Sequence, residues 1–345
     1  MNQKSILFFL ILILLTAVLW IANLLYGSVH IPFHEVLQIL TGRDASSAAW
    51  QNIVLQSRLP QTVTALLAGA SLATSGLLLQ TLFKNPLAGP SILGISDGAN
   101  LGVAIVMLFF GSSLNLMTGY TFTGSLAKIA AALIGAFSIL GLIIYFSTKV
   151  SNHVMLLIIG IMVGYVASSF ISILNYYAAA DRVHAYVMWG MGDFSSVSNE
   201  RLPFFILMAS IGLLMAVLLI KPLNALLLGE MYAINSGVNI KAARMLILLC
   251  TGLLTAVTTA FCGPVSFIGL AVPHIARLLL GTSNHKMLLP VTMLAGSGSA
   301  LLCNLVSVMP LDEKITFPLN AVTPVLGAPV IIYVIMNRKN IQYFN

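Results

Sequence analysis

Six histidines, three cysteines and nine acidic side chains are the groups through which this chain could ligate a metal, attack a bond or pass a proton. Their spacing supports none of the three. His30, His34, His153, His184, His274 and His285 contain no HExxH pair, and the i, i+4 spacing of His30 and His34 is by itself a poor metal signature. Cys250, Cys262 and Cys303 form no CxxC or Cys/His set, so they indicate neither a disulfide framework nor a zinc site and read as packing residues. No GxxxxGK(S/T) phosphate loop is present, so the chain cannot hydrolyse ATP by that route, and the sequence offers nothing as an enzyme. Ionisable groups inside apolar segments, which ion-coupled carriers need, are scarce. Asp97 falls at the expected start of one segment, where a carboxylate either caps a helix amino terminus or serves a pathway; Lys128 and Arg277 fall near segment ends, within snorkelling reach of headgroups.

The elements that carry these groups are set by composition. Hydrophobic residues make up 59% of the 345 and charged residues 7%, with a mean hydropathy of +1.01, which is more apolar surface than a soluble domain can bury. Hydrocarbon leaves a backbone two choices, helix or closed barrel, and apolar runs near 20 residues without alternation select helices. Spans are expected at 5–26, 59–82, 92–110, 126–146, 153–176, 203–220, 242–261, 266–280, 288–308 and 318–336. The first follows Lys4 but runs to Tyr26 without an A-x-A site, and so reads as a retained span rather than a cleaved signal.

Ten spans put both termini on one side. With the termini inside, Lys4, Lys84, Lys149, Lys221, Lys241, Arg244, Arg277, Lys286, Arg338 and Lys339 face the cytoplasm, and Arg43, Arg58, Lys128, Arg182, Arg201 and Lys314 face outward. All acids but Asp97 and Glu230 also fall outside, so the net charge of +7 reflects topology rather than nucleic-acid binding.

Two outer segments, 27–57 and 178–201, are too long for turns and are expected to hold short helices, as interfacial anchors or as the wall of a vestibule. In the second span Ala65, Gly69 and Ala73, followed by Ser75 and Gly76, form a small-residue face that admits another helix backbone, so this span should be central. Gly89-Pro90-Ser91-Ile92-Leu93-Gly94-Ile95 is echoed by Gly263-Pro264-Val265-Ser266-Phe267-Ile268-Gly269-Leu270, a pattern that would suit an inverted repeat.

The run Arg58-Leu59-Pro60-Gln61-Thr62, continuing through Gly69, Ser75, Gly76 and Gln80 into Asn85-Pro86-Leu87-Ala88-Gly89-Pro90 and Leu93-Gly94-Ile95-Ser96, resembles the FecCD family of ABC importer permeases. Phe267 to Leu278 with Pro273-His274-Ile275-Ala276-Arg277, then Leu288-Leu289-Pro290, Ala321-Val322-Thr323-Pro324 and Leu326-Gly327-Ala328-Pro329 match it in the same order. The resemblance implies an all-α membrane protein, one domain over 1–345 with about ten transmembrane helices of the type II ABC importer class, both termini cytoplasmic, in the bacterial cytoplasmic (inner) membrane.

It also implies partners: a second permease copy, two cytoplasmic ATPase subunits that hold ATP and magnesium, and an extracytoplasmic substrate-binding protein, with no cofactor in this chain. The cargo would be a metal chelate, ferric siderophore first, with haem and cobalamin as competitors; a secondary carrier is the rival class, which should show paired intramembrane acids. Asn85 and Leu87 match the family's inner constriction. Its second part would lie around Asn152, His153 and Val154, where small hydroxylated residues are common among relatives. Residues 221–240, with Leu223, Asn224, Glu230, Ala233 and Gly237, look like the coupling segment on which the ATPases act. Arg58 matches a basic position that meets the binding protein, or else is an interfacial anchor. Gln61 stands where a second arginine is frequent, Thr316 where a glutamate is, and Asn320 where a glycine is usual.

Overall fold

The computed structural model describes residues 3–27, 29–43, 46–110, 122–150, 152–308 and 317–336, and every regular element among them is helical. In chain order these are α1 (Gln3–Leu25), α2 (Phe33–Leu40), α3 (Ala48–Asn52), α4 (Leu59–Phe83), α5 (Ile95–Ala104), α6 (Phe122–Lys149), α7 (His153–Tyr177) and α8 (Ala180–Gly190). They continue with α9 (Leu202–Leu218), α10 (Ile220–Leu227), α11 (Glu230–Asn235), α12 (Ile240–Cys262), α13 (Ile268–Leu280), α14 (His285–Val308) and α15 (Leu319–Met336). Lys314, Thr316, Arg338 and Lys339 lie outside the described residues, as do the side chains of Lys4 and His153.

Both long outer segments hold short helices, α2 and α3 in one and α8 in the other. A π-turn over Ile53–Arg58 joins α3 to α4, so the helical run there extends from Ala48 to Phe83. Among the described residues six helices are long and apolar enough to cross a membrane, with α9 and α10, bent by 48°, as a seventh. Three expected spans are shorter, at Ile95–Phe109, Ile268–Leu280 and Leu319–Val334. At 1.5 Å per residue such helices reach roughly 20–25 Å, less than the ~30 Å of hydrocarbon. The first begins after the Asn85 turn and a 3-10 turn at Pro90–Leu93, the second after the irregular 263–267 segment, and Gly-Pro pairs mark both junctions in the sequence.

Packing centres on α4, 83% buried across its apolar window. The small-residue face explains how. A methyl group at Gly69 would overlap the Gly296 carbonyl of α14, and one at Gly76 would overlap the Gly269 carbonyl of α13, so backbone meets backbone at both crossings. Ser75 adds a hydroxyl pair with Thr255 of α12 at 2.9 Å. The echo in sequence corresponds to reciprocal packing: α4 lies against α13 and α14, while α12 lies against α5 and α6. In the second set Gly98 and Gly102 meet Gly135 and Ala131, and Gly252 receives the Leu140 side chain.

Replacing Gly76 by Val forces α4 off α13, at a cost of about 1–3 kcal/mol from overpacking. Gly141, where nothing lies within 4 Å, is the control. Thermal unfolding in detergent should fall for Gly76→Val and stay at the wild-type midpoint for Gly141→Val; equal midpoints for both would refute the close crossing.

Candidate gate and coupling site

Three clusters hold the residues singled out by sequence. The first is the end of α4. Lys84 terminates the helix in the left-handed region at φ 47°, and the chain turns on Asn85, whose Oδ1 accepts from the Leu87 amide at 2.9 Å. Asn85 N–H returns to the Gln80 carbonyl at 3.2 Å, and Ala88 N–H reaches the Asn85 carbonyl at 3.1 Å. The turn holds Leu87 out, 42% exposed, while Ala88 beside it is buried. Asn85 thus spends its side-chain oxygen within the turn and shapes the constriction candidate, leaving Leu87 to present the apolar surface.

Behind this turn lies a buried polar set. Gln80 accepts from the Arg277 guanidinium at 2.6 Å and donates to the Leu270 carbonyl at 3.2 Å. His274 Nε2 lies 2.7 Å from the Pro86 carbonyl, and since a carbonyl only accepts, Nε2 carries the proton. The snorkelling expected of Arg277 is corrected here: it is 3% exposed and turned inward to α4, where Gln80 gives it an acceptor that headgroups would otherwise supply. Asp97 occupies the first turn of α5, the position of the capping alternative, where a carboxylate favours the positive end of the helix.

Asn152 is the N-cap of α7, accepting from Val154 N–H at 2.8 Å and Met155 N–H at 3.4 Å. That is a structural duty for the residue paired with His153 in the sequence reading.

The second cluster is α10 and α11. Leu223 and Ala233 are fully buried, so they seat this pair on the helical body rather than facing a partner. Asn224 faces α14: its Oδ1 accepts from His285 N–H at 2.8 Å and from His285 Nδ1 at 3.0 Å, while its Nδ2 donates to Asn284 at 3.1 Å. Glu230 opens α11 and lies 3.6 Å from Arg244, which also reaches the Ser147 and Val150 carbonyls at 3.4 Å. Gly237, at φ 79°, closes α11 with Val238 N–H on the Ala233 carbonyl and Gly237 N–H on the Ile234 carbonyl, both at 2.9 Å. This is a Schellman closure, the glycine stop expected from sequence.

Leu228, Met231, Tyr232 and Ile234 remain exposed around this knob, Met231 at 73%. Sequence reasoning passed over them, although a six-residue helix with buried Ala233 must turn its remaining apolar side chains outward.

The third cluster surrounds Arg58, for which the resemblance implied a docking role. The residue is 5% exposed, and its guanidinium donates to the carbonyls of Leu24 at 2.9 Å, Leu25 at 2.8 Å and Val29. Leu24 and Leu25 lie at the end of α1, where carbonyls lack helical partners and the helix dipole favours a cation, and Val29 follows four residues beyond it. Gly27 makes room, since a Cβ there would sit 2.9 Å from the guanidinium. In this chain Arg58 caps the end of α1, with its guanidinium turned inward. Gln61, in place of a second arginine, donates to Asn304 at 3.0 Å, and Asn304 donates to Asn23 at 2.7 Å, joining α4, α14 and α1. Asn320 bonds the Gly190 carbonyl at 2.9 Å, the Pro264 carbonyl at 2.7 Å and the Ser266 amide at 3.1 Å. Among the described residues no three His, Cys, Asp or Glu side chains gather as a metal site.

Six helices long and apolar enough to cross a membrane, packed around a central glycine-lined helix, are the architecture of a multi-pass membrane protein. The chain matches the model of the FecCD transport family over residues 14–337 and belongs to that family. It is 35% identical over 294 residues to the vitamin B12 import system permease protein BtuC of Klebsiella pneumoniae, covering 85% of each chain. It is 34% identical over 321 residues to the ABC transporter permease protein YvrB of Bacillus subtilis, covering 90% of this chain and 88% of that one. Among solved structures it is similar to a metal-chelate type ABC transporter in an inward-facing conformation, with a TM-score of 0.80 and 30% identity over 96% of this chain and 98% of that one. PsaBC from Streptococcus pneumoniae shares the fold, with a TM-score of 0.53 and 15% identity over 80% of this chain and 90% of that one.

As a buried cap, Arg58 is worth about 1.5–3 kcal/mol, the range for hydrogen bonds to a charged group. Arg58→Ala should lower the unfolding midpoint in detergent, and Arg58→Lys should recover only part of the loss, because an ammonium cannot fork to several carbonyls. Wild-type stability for Arg58→Ala would return the residue to the surface.

Proposed function

We propose that this chain is the membrane-spanning permease subunit of an ATP-driven importer that carries a metal chelate across the bacterial cytoplasmic membrane. The observation that carries the reading is a FecCD-family chain without a phosphate loop that presents the apolar knob α11 on a seated, glycine-stopped support. Two cytoplasmic ATPase subunits with ATP and magnesium dock on that knob through Leu228, Met231, Tyr232 and Ile234. A second copy of the permease completes the pathway, and an extracytoplasmic binding protein delivers the cargo.

The six long helices, the bent α9–α10 pair and the three shorter apolar helices follow the order of the ten expected crossings, which supports ten spans with both termini inside. Lys221, Lys241, Arg244 and Lys286 gather around α10, α12 and the start of α14, as the positive-inside rule asks of a cytoplasmic face. Leu87, held out by the Asn85 turn, closes the inner end of the pathway, with the start of α7 at Asn152 and His153 as its second element.

Ferric siderophore is the first cargo of this reading. Cobalamin is the second, favoured by the similarity to vitamin B12 import permeases, and haem is the third. Uptake of labelled ferric siderophore, cobalamin and haem by a deletion strain, with and without the restored gene, separates them; restoration of none overturns the chelate reading.

Met231→Glu combined with Ile234→Glu should insert normally and lose co-purification of the ATPase by more than about tenfold, the effect of truncating or charging a hot spot. Gly237→Val meets no neighbour within 4 Å, so it acts through strain alone. That strain is about 1–3 kcal/mol at a positive-φ site. The expected outcome is normal membrane insertion with transport lost or hydrolysis no longer stimulated by loaded binding protein. Wild-type import by Gly237→Val would remove α11 from the coupling element.

A further inference from the structure

Between the coupling helices and the constriction lies a hydrogen-bonded chain that crosses three elements. Asn224 on α10 accepts from His285 Nδ1 at 3.0 Å, and His285 Nε2 lies 2.8 Å from Thr81 Oγ1 on the last turn of α4. Asn224 Oδ1 can only accept, so Nδ1 carries the ring proton and Nε2 accepts from the Thr81 hydroxyl, at 2.8 Å the nearer of that hydroxyl's two acceptors, the Leu77 carbonyl lying at 3.0 Å. The imidazole is thereby fixed at both ends. His285 and Thr81 are fully buried, where a hydrogen bond is directional and strengthened by the low dielectric. Gln80, beside Thr81, receives Arg277, and its carbonyl receives the Asn85 amide that starts the constriction turn. On the far side His274 holds the Pro86 carbonyl from α13. The last turn of α4 and the turn that follows are therefore gripped from α10 through His285 and from α13 through Arg277 and His274.

We propose that Asn224, His285 and Thr81 are positioning residues that transmit displacement of α10 to the Asn85–Leu87 turn, with the His274–Pro86 bond as the fixed side against which the turn moves. The inference rests on the gate and coupling roles given above. Apolar contacts such as that of Leu223 allow α10 to slide over α4; a chain of short hydrogen bonds through a clamped ring does not. Loss of a single link therefore uncouples the two ends while leaving the apolar seating of α10 intact.

The test uses the whole transporter, purified with its own ATPase subunits, carrying Leu87→Cys as a probe for maleimide. Cys250, Cys262 and Cys303 are buried and leave the background low. With no further change, the labelling rate should differ between nucleotide-free and nucleotide-bound complexes. Thr81→Val keeps the shape of the side chain and removes the hydroxyl; it should shrink that difference by about tenfold, within the range of site-to-site couplings. ATPase co-purification should be retained and transport per ATP lowered in proportion. Thr81→Ser should restore the response, and Asn224→Ala should match Thr81→Val, with the double variant no worse than either.

Stable complexes of Thr81→Val and Asn224→Ala that keep the wild-type nucleotide response overturn the link and leave the gate standing. Equal labelling in both nucleotide states for Leu87→Cys alone overturns the gate and the link together. Where Thr81→Val fails to assemble, the response of Asn224→Ala decides from the other end of the chain.

Discussion

A backbone carbonyl or amide that leaves a helix within hydrocarbon must find a partner or cost several kcal/mol, and the placement of polar side chains in this chain follows from that requirement. Backbone becomes irregular at 84–94 and again at 263–267, and each stretch is served by a side chain from elsewhere. His274 supplies the Pro86 carbonyl, and Asn320 supplies both the Pro264 carbonyl and the Ser266 amide. Gln80 reaches the Leu270 carbonyl at the start of α13. Arg58 does the same for the end of α1. Buried polar residues that would be liabilities in a uniform helical bundle are here the condition for having broken helices at all.

That division decides what was legible in the sequence. The central place of α4 was readable because spacing by four of Ala65, Gly69 and Ala73 has one physical use in an apolar helix, close backbone approach, and Gly296 and Gly269 are what approach. The glycine stop at Gly237 was readable for a similar reason, since its φ of 79° excludes most side chains. The helix breaks after α4 and α12 were readable to within a few residues from their Gly-Pro pairs, whereas the 3-10 turn at Pro90–Leu93 was not. Nor was the direction of Arg58: a cation at the start of a span reads the same whether it reaches out or folds back. The discriminating sign was Gly27, whose missing side chain makes room for the guanidinium. The division of α10 and α11 into buried and exposed apolar residues escaped because six to eight residues are too few for a hydrophobic period to declare itself.

Departures from the family pattern behave as local rebuilding rather than loss. Asn320, where glycine is usual, takes hydrogen bonds from or to the end of α8 and both sides of the 263–267 segment, so the larger side chain occupies its place by satisfying backbone there. Gln61, where arginine is frequent, enters the Asn304–Asn23 chain between α14 and α1. Neither substitution leaves a charge on the outer face. Electrostatic steering of a docking partner would then depend on residues beyond the start of α4, because steering follows exposed charge and Arg58 offers almost none.

The stiffness of the centre gives the periphery its mechanical meaning. Where Gly69 and Gly76 bring α4 against the carbonyls of α14 and α13, no side chain lies between to repack, and interfaces of this kind shift as units or not at all. The 48° bend between α9 and α10 is of the opposite kind: it falls at Leu219, a single residue between two helices, which can absorb rotation. On the proposed coupling route, a force applied to α11 turns α10 about that joint and arrives at the end of α4, whose body is held by those close crossings. The more compliant part is the segment after Phe83, where Lys84 leaves the helix in a left-handed conformation and the Asn85 turn stays tied to α4 through its amide on the Gln80 carbonyl. The proposed constriction falls where rigid and yielding backbone meet, the place where a small displacement of an outer helix would change the width of a pathway.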